Sequence, residues 1–299
     1  MNQIANVLIY AFLIADSIDA DIETNLERYA RIGGAKMKKI WVVLSYLTMI
    51  IMNMLANLLP INGQNTGAIS DAYPNLFAPA GYTFSIWGLI YLLLGILVIF
   101  LVRQTKYLNH PLRNQGVSRI MTLFIVSSFA NATWILAWHY QFIGVSVLIM
   151  LVILVSLILM MNELVKTSFS KSELKWMKPP VGVYLGWITV ATVANITTYL
   201  VSIQWHQFGI SEEVWMVIIL VVATLIACTT LIWSKCGAYG LTVIWAYMGI
   251  WSKHTSATGF NHEYEAVILT LYAALALLIF TTGRVIWVQI LKNKGWANV

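Results

Sequence analysis

Three groups of rings and amides repeat at helical spacing, and they are the side chains of this sequence best suited to chemistry. Phe84, Trp87 and Tyr91 recur at three and four residues and so share one helix face. Asn131, Trp134 and Trp138 have the same spacing, and Tyr184, Trp187 and Asn195 fall within about 80° of one another on a helix that turns about 100° per residue. Indole and phenol rings give flat apolar walls, and two carboxamides add a few orienting hydrogen bonds, a combination suited to stacking a planar hydrophobic ligand. Each residue type also has a structural role. Buried amides join helices by hydrogen bonds, and tryptophans anchor at membrane interfaces. Anchoring accounts for Trp41, Trp205, Trp215, Trp251 and Trp287, but not for Trp87 or Trp187, which lie deeper. Acid–base chemistry has no candidate among these groups, so no catalytic residue and no metal site is expected. Cys228 and Cys236 form no thiol or zinc motif, and a disulfide between them is not expected.

The elements that must carry these faces are membrane helices. Of 299 residues, 60% are hydrophobic and only 10% charged, against about 25% charged in an average soluble domain, which excludes a soluble globule. Eight stretches meet or approach the roughly 20 apolar residues that cross about 30 Å of hydrocarbon. They are residues 40–59, 76–102, 120–138, 143–161, 179–203, 214–233, 237–251 and 266–290, the seventh being the shortest. None has an interior acid, as the cost of a carboxylate in lipid requires. Pro79 suits the first turn of the second helix. At a rise of about 1.5 Å per residue, Trp87, Asn131 and Asn195 each lie some 10–12 Å below the same membrane side, so the three faces are level.

Net charge is +6, and its distribution follows the membrane. With the segment before the first span inside, seventeen of the eighteen Lys and Arg fall on the inner side, sixteen in loops and termini and Arg284 toward the inner end of the eighth stretch, and only Lys253 falls outside. Both termini are therefore expected in the cytoplasm, and no compact basic patch points to nucleic acid. Residues 1–36 form an N-terminal extension with two readings open. One is a mis-assigned start upstream of Met37; the other is an amphipathic surface helix closed by Gly33-Gly34. The loop after the first span, rich in Gly, Asn, Pro and Asp from Leu59 to Asn75, reads either as a lid or as a plain connector.

The strings carrying these faces resemble a known family. Tyr184-x-x-Trp187-x7-Asn195 is similar to the fifth-helix signature of the TspO/MBR family, the translocator proteins and bacterial tryptophan-rich sensory proteins. Asn131-x-x-Trp134 resembles its third-helix motif, and Trp87-x3-Tyr91 its second-helix motif. The resemblance covers residues 40–203. Departures are the Tyr82-x-Phe84 pair, one residue nearer Trp87 than in the family, Ala78-Pro79 in place of a double proline, and about one extra helical turn between Trp134 and Gly144. No Lys or Arg lies within five residues of Tyr199, so the cholesterol-associated pattern of the animal members is absent. The last three spans resemble the extension of longer bacterial relatives.

The expected fold is an all-α integral membrane protein of about eight transmembrane helices. It has a five-helix TspO-like bundle over residues 37–205 and a three-helix extension over 206–299. The resemblance implies binding of tetrapyrroles (porphyrin or haem) or similar flat hydrophobic ligands, as sensor or carrier in a bacterial cytoplasmic membrane, with no obligatory cofactor. The expected ligand-binding residues are Phe84, Trp87, Tyr91, Asn131, Trp134, Trp138, Tyr184, Trp187 and Asn195. Membrane lipid and a hydrophobic small molecule are the expected partners, and a homodimer is left open. Light-dependent porphyrin degradation and small-solute transport are the alternatives, though no internal repeat or intramembrane charge favours transport. Axial haem ligation by His139, His206, His254 or His262, which share the outer side, is a minor reading. Retinal binding lacks a mid-membrane lysine.

Overall fold

A computed structural model describes residues 34–59, 61–104 and 111–293. The chain divides into a unit ending at Trp41, of which the helical residues 34–41 are described, and a helical unit Val42–Val299. Of the extension 1–36, residues 1–33, on which its two readings turn, lie outside the described residues, and 34–36 belong to the first helix. Nine α-helices and no strand occur among the described residues: α1 (Gly34–Leu58), α2 (Thr66–Asp71), α3 (Ile86–Arg103), α4 (Pro111–His139), α5 (Ile143–Lys166), α6 (Lys171–Ser202), α7 (Glu212–Ser234), α8 (Gly237–Thr255) and α9 (Glu265–Asn293). Among the described residues, seven segments are long and apolar enough to cross a membrane: α1, the stretch Gly81–Arg103 containing α3, α4, α5, α6, α7 and α9. Large apolar side chains such as Leu92, Leu148, Leu225, Leu269 and Phe280 are exposed. Water would penalise such faces, whereas lipid is their natural solvent.

α6 is the hub, packing on α3, α5 and α8 and more lightly on α7. Its apolar stretch is 72% buried, the highest share of the seven, because it is surrounded by α3, α5, α7 and α8. It starts eight residues before the apolar run, because Ser170 and Glu173 form a reciprocal capping box. Pro179 and Pro180 are accommodated inside it. At the basic end of the bundle Arg113 pairs with Glu173, and Arg119 with Glu163.

The short seventh span forms α8, 19 residues that rise about 28 Å. It is less apolar than the seven but deeply enclosed: Tyr239, Val243, Ala246, Tyr247 and Ile250 are buried between α6 and α9. Small residues permit the approach. Cβ atoms at Gly182 and Gly186 of α6 would press on Cys236, the N-cap of α8, and on Tyr239 and Thr242 within it, and a Cβ at Gly240 of α8 would press on Thr282 of α9.

The second span differs from expectation at its start. Residues 76–80 are not helical, and Pro79 precedes the N-cap Ala80 instead of opening a helical turn. The backbone there is claimed by tertiary bonds, with His254 Nε2 donating to Leu76 O and Ala80 N to Gly249 O. A 3-10 turn, Gly81–Ser85, then leads into α3.

Candidate functional site

Two of the three ring faces meet. Trp87 stacks on Tyr91 at 5.5 Å and 19°, and stands edge-on to Tyr184 at 6.0 Å and to Trp187 at 6.1 Å. Phe84 meets Trp187 edge-on at 5.8 Å. Five rings from the 3-10 turn, α3 and α6 thus make one aromatic cluster, with centroid separations in the favourable range for ring pairs. Trp87, Tyr91 and Phe84 are half-buried, and Tyr184 and Trp187 are buried. Within it, Trp187 Nε1 and Tyr91 Oη are buried without a hydrogen-bond partner among the described residues. Such orphans are uncommon, since a buried donor left unpaired costs about 1–3 kcal/mol. Tyr46 of α1 donates to Tyr91 O at 2.8 Å and fixes the α1 side of α3.

The amides join helices. Asn53 Nδ2 donates to Asn131 Oδ1 at 2.7 Å, and Asn131 Nδ2 to Tyr184 Oη at 3.1 Å, linking α1, α4 and α6 behind the aromatic cluster. Asn195 Oδ1 accepts from Trp134 Nε1 at 2.9 Å, while its Nδ2 donates to Ser146 Oγ at 2.9 Å, linking α6, α4 and α5. Trp134 and Trp138 stack on each other at 5.3 Å, and Trp138 Nε1 donates to Thr66 O. The α4 ring face therefore makes a second, separate stack whose indole N–H groups are already engaged.

The loop between α1 and α3 folds over this end of the bundle. Ile61 O can only accept, so His139 Nδ1 carries the proton and His139 Nε2 accepts from Thr66 Oγ1. Both ring nitrogens of His139 are thereby occupied, which counts against it as an axial ligand. Asn62 donates to His139 O, Tyr73 to Gln141 and Thr197 to Asn75. The loop is also tied to α8. Lys253 Nζ pairs with Asp71 Oδ1 at 3.1 Å, and Trp245 Nε1 donates to Thr83 O. Asp71 is 62% exposed, so Lys253→Ala should lower global stability by less than about 1 kcal/mol. Its expected signature is faster amide exchange confined to α2, read by hydrogen exchange; unchanged protection of α2 would show that the pair restrains nothing.

A cavity of about 470 Å³ that the spacing of residues did not indicate lies between Asn75–Phe77, the end of α6 and the start of α7. Trp205 and Trp215, which the sequence assigns to the interfacial belt, line it, with ring centroids 5.3 Å apart. Their approach depends on the turn joining α6 to α7, which includes left-handed Gln204, Gln207 and Phe208 and so carries no periodic signal.

A family model described as TSPO-like protein matches residues 39–284, from α1 through most of α9. No curated protein and no solved structure matches the chain.

Proposed function

This chain belongs to the TSPO-like protein family, and from that membership we propose that it is an integral membrane binding protein for tetrapyrroles or similar flat hydrophobic ligands. The observation that carries this reading is the pair of buried, unpartnered donors, Trp187 Nε1 and Tyr91 Oη, inside a five-ring cluster. A porphyrin offers what the cluster lacks: a planar face for Trp87, and ring nitrogens or carboxylates that accept from the two donors. The cluster contains no carboxylate, imidazole or thiol, which favours a carrier or sensor over an acid–base enzyme. The Lys and Arg distribution along the sequence supports both termini inside and the loop-covered end outward, and the resemblance to bacterial relatives supports a bacterial cytoplasmic membrane.

Soret titration of the full-length protein with protoporphyrin tests the site. Trp87→Ala should weaken binding by about tenfold or more, by loss of the stacking wall. Trp187→Phe, which keeps a ring and deletes the donor, should weaken it by about three- to tenfold. Unchanged affinity in both variants would remove the cluster as the binding site.

A further inference from the structure

The cavity between α6 and α7 is a different place from the aromatic cluster and shares none of its residues. Its volume, about 470 Å³, is that of a small-molecule site, and its floor is apolar, with Phe77, Leu200 and Met216 among the lining residues. Two indoles stand at its wall, tilted by 56° to each other, and Trp215 is held in place by its Nε1 bond to Gln207 O at 2.8 Å.

Apart from the imidazole of His206, which also lines the cavity, the charge there has one sign. Glu212 lines the cavity and is its only Asp, Glu, Lys or Arg, and it has no ion-pair partner among the described residues. Glu213 and Glu263 add to the same field: the Tyr264 phenol is raised by burial and then by Glu263, Glu212 and Glu213. Lys253, the basic residue at this end of the bundle, is already paired with Asp71. The start of α7 brings an opposing dipole, but it amounts to roughly half a positive charge, against full carboxylates at Glu212 and Glu213 in the first turn. Negative potential prevails.

From this juxtaposition of paired indoles, an unpartnered carboxylate and an apolar floor, we propose that the α6–α7 cavity binds the ammonium group of an amphipathic organic cation. The cation lies against Trp205 and Trp215 beside Glu212, and its aliphatic part lies on Phe77, Leu200 and Met216. Neutral hydrophobes satisfy the floor alone, and anions meet Glu212. The same chemistry is offered by a free alkylammonium compound and by the choline headgroup of a lipid.

The test is equilibrium dialysis of hexyltrimethylammonium against the full-length protein in nanodiscs of an uncharged galactolipid at pH 8, with empty discs as blank. Saturable binding at one site is expected, at least tenfold tighter than that of the uncharged tert-butyl isostere. Glu212→Gln and Trp205→Leu should each weaken it at least fivefold while leaving protoporphyrin titration unchanged, which separates loss of this site from misfolding. Equal affinity for cation and isostere, or unchanged affinity in both variants, would overturn the proposal. Repeating the titration in phosphatidylcholine discs identifies the source. Competition that weakens the probe tenfold or more assigns the site to a lipid headgroup, and equal binding in the two lipids assigns it to a free cation.

Discussion

Gly186→Val is expected to destabilise the protein by about 2–3 kcal/mol, because the new side chain is driven into the backbone of a neighbouring helix. A Cβ at this position would stand 2.8 Å from Tyr239 O and 3.0 Å from Thr242 Cβ, both on α8. A carbonyl oxygen of a helix cannot turn aside as a flexible side chain can. Nor can α8 retreat, since its other side is seated on α9, where Gly240 already faces Thr282. Helix propensity pulls the other way by about 0.8–1.0 kcal/mol when glycine becomes alanine, but overpacking of a closely packed interface outweighs it. Gly88→Ala on α3 is the control. Nothing lies within 4 Å of its Cβ, so only the propensity gain should appear. Denaturant titration of the two variants in detergent should shift their midpoints in opposite directions. If Gly186→Val melts like the wild type, α6 and α8 are not in the contact described.

The second large effect concerns Asn195. It ties three helices through Trp134 Nε1 and Ser146 Oγ, and is itself 2% exposed. Asn195→Leu leaves the Trp134 N–H buried without an acceptor, a loss of about 1–3 kcal/mol. Membrane interiors moderate such terms, where interhelical bonds average nearer 0.6 kcal/mol, so about 2 kcal/mol is expected for this doubly bonded amide. A double-mutant cycle with Trp134→Phe makes the attribution specific. Once the indole N–H is gone, Asn195→Leu should cost about 1 kcal/mol less than it does alone. Additive losses would mean that the Trp134–Asn195 bond contributes nothing.

These two substitutions probe different parts of what holds the ring faces apart. Asn131 and Asn195 share the level that the spacing along their helices gives them, yet each serves a different junction. Asn131 supports Tyr184 behind the Trp87–Trp187 cluster, whereas Asn195 holds the Trp134–Trp138 stack against α5 and α6. The second stack, with both indole donors satisfied, acts as a support for the loop over Thr66. The Trp87 cluster, in which Trp187 Nε1 and Tyr91 Oη have no partner among the described residues, is where the proposed function puts the ligand.

Much of this could be read directly from the residues. Long apolar runs fix the helices, because backbone polar groups in lipid must be satisfied within the segment itself. Intervals of three and four residues fix which rings share a face, as Phe84, Trp87 and Tyr91 do, because that is a property of one helix alone. Family membership was legible in the same strings. The helix ends were less so: polar residues at Lys171–Lys178 and Pro111–Arg119 continue α6 and α4 beyond the apolar window, since capping and ion pairs extend a helix without hydrophobicity.

Only the tertiary structure decided which faces meet. Spacing along a helix sets direction about its own axis, not its rotation or crossing angle against a neighbour, which depend on how side-chain ridges interlock. Hence one level of three faces became a five-ring cluster and a separate two-ring stack. The turn between α6 and α7 likewise placed Trp205 against Trp215, in the lining of one cavity with Glu212. Nor could a run of only 19 residues announce that α8 would pack between α6 and α9 and hold the covering loop through Lys253, His254 and Trp245. That outcome rests on glycines whose value lies in the atoms of other helices that approach them.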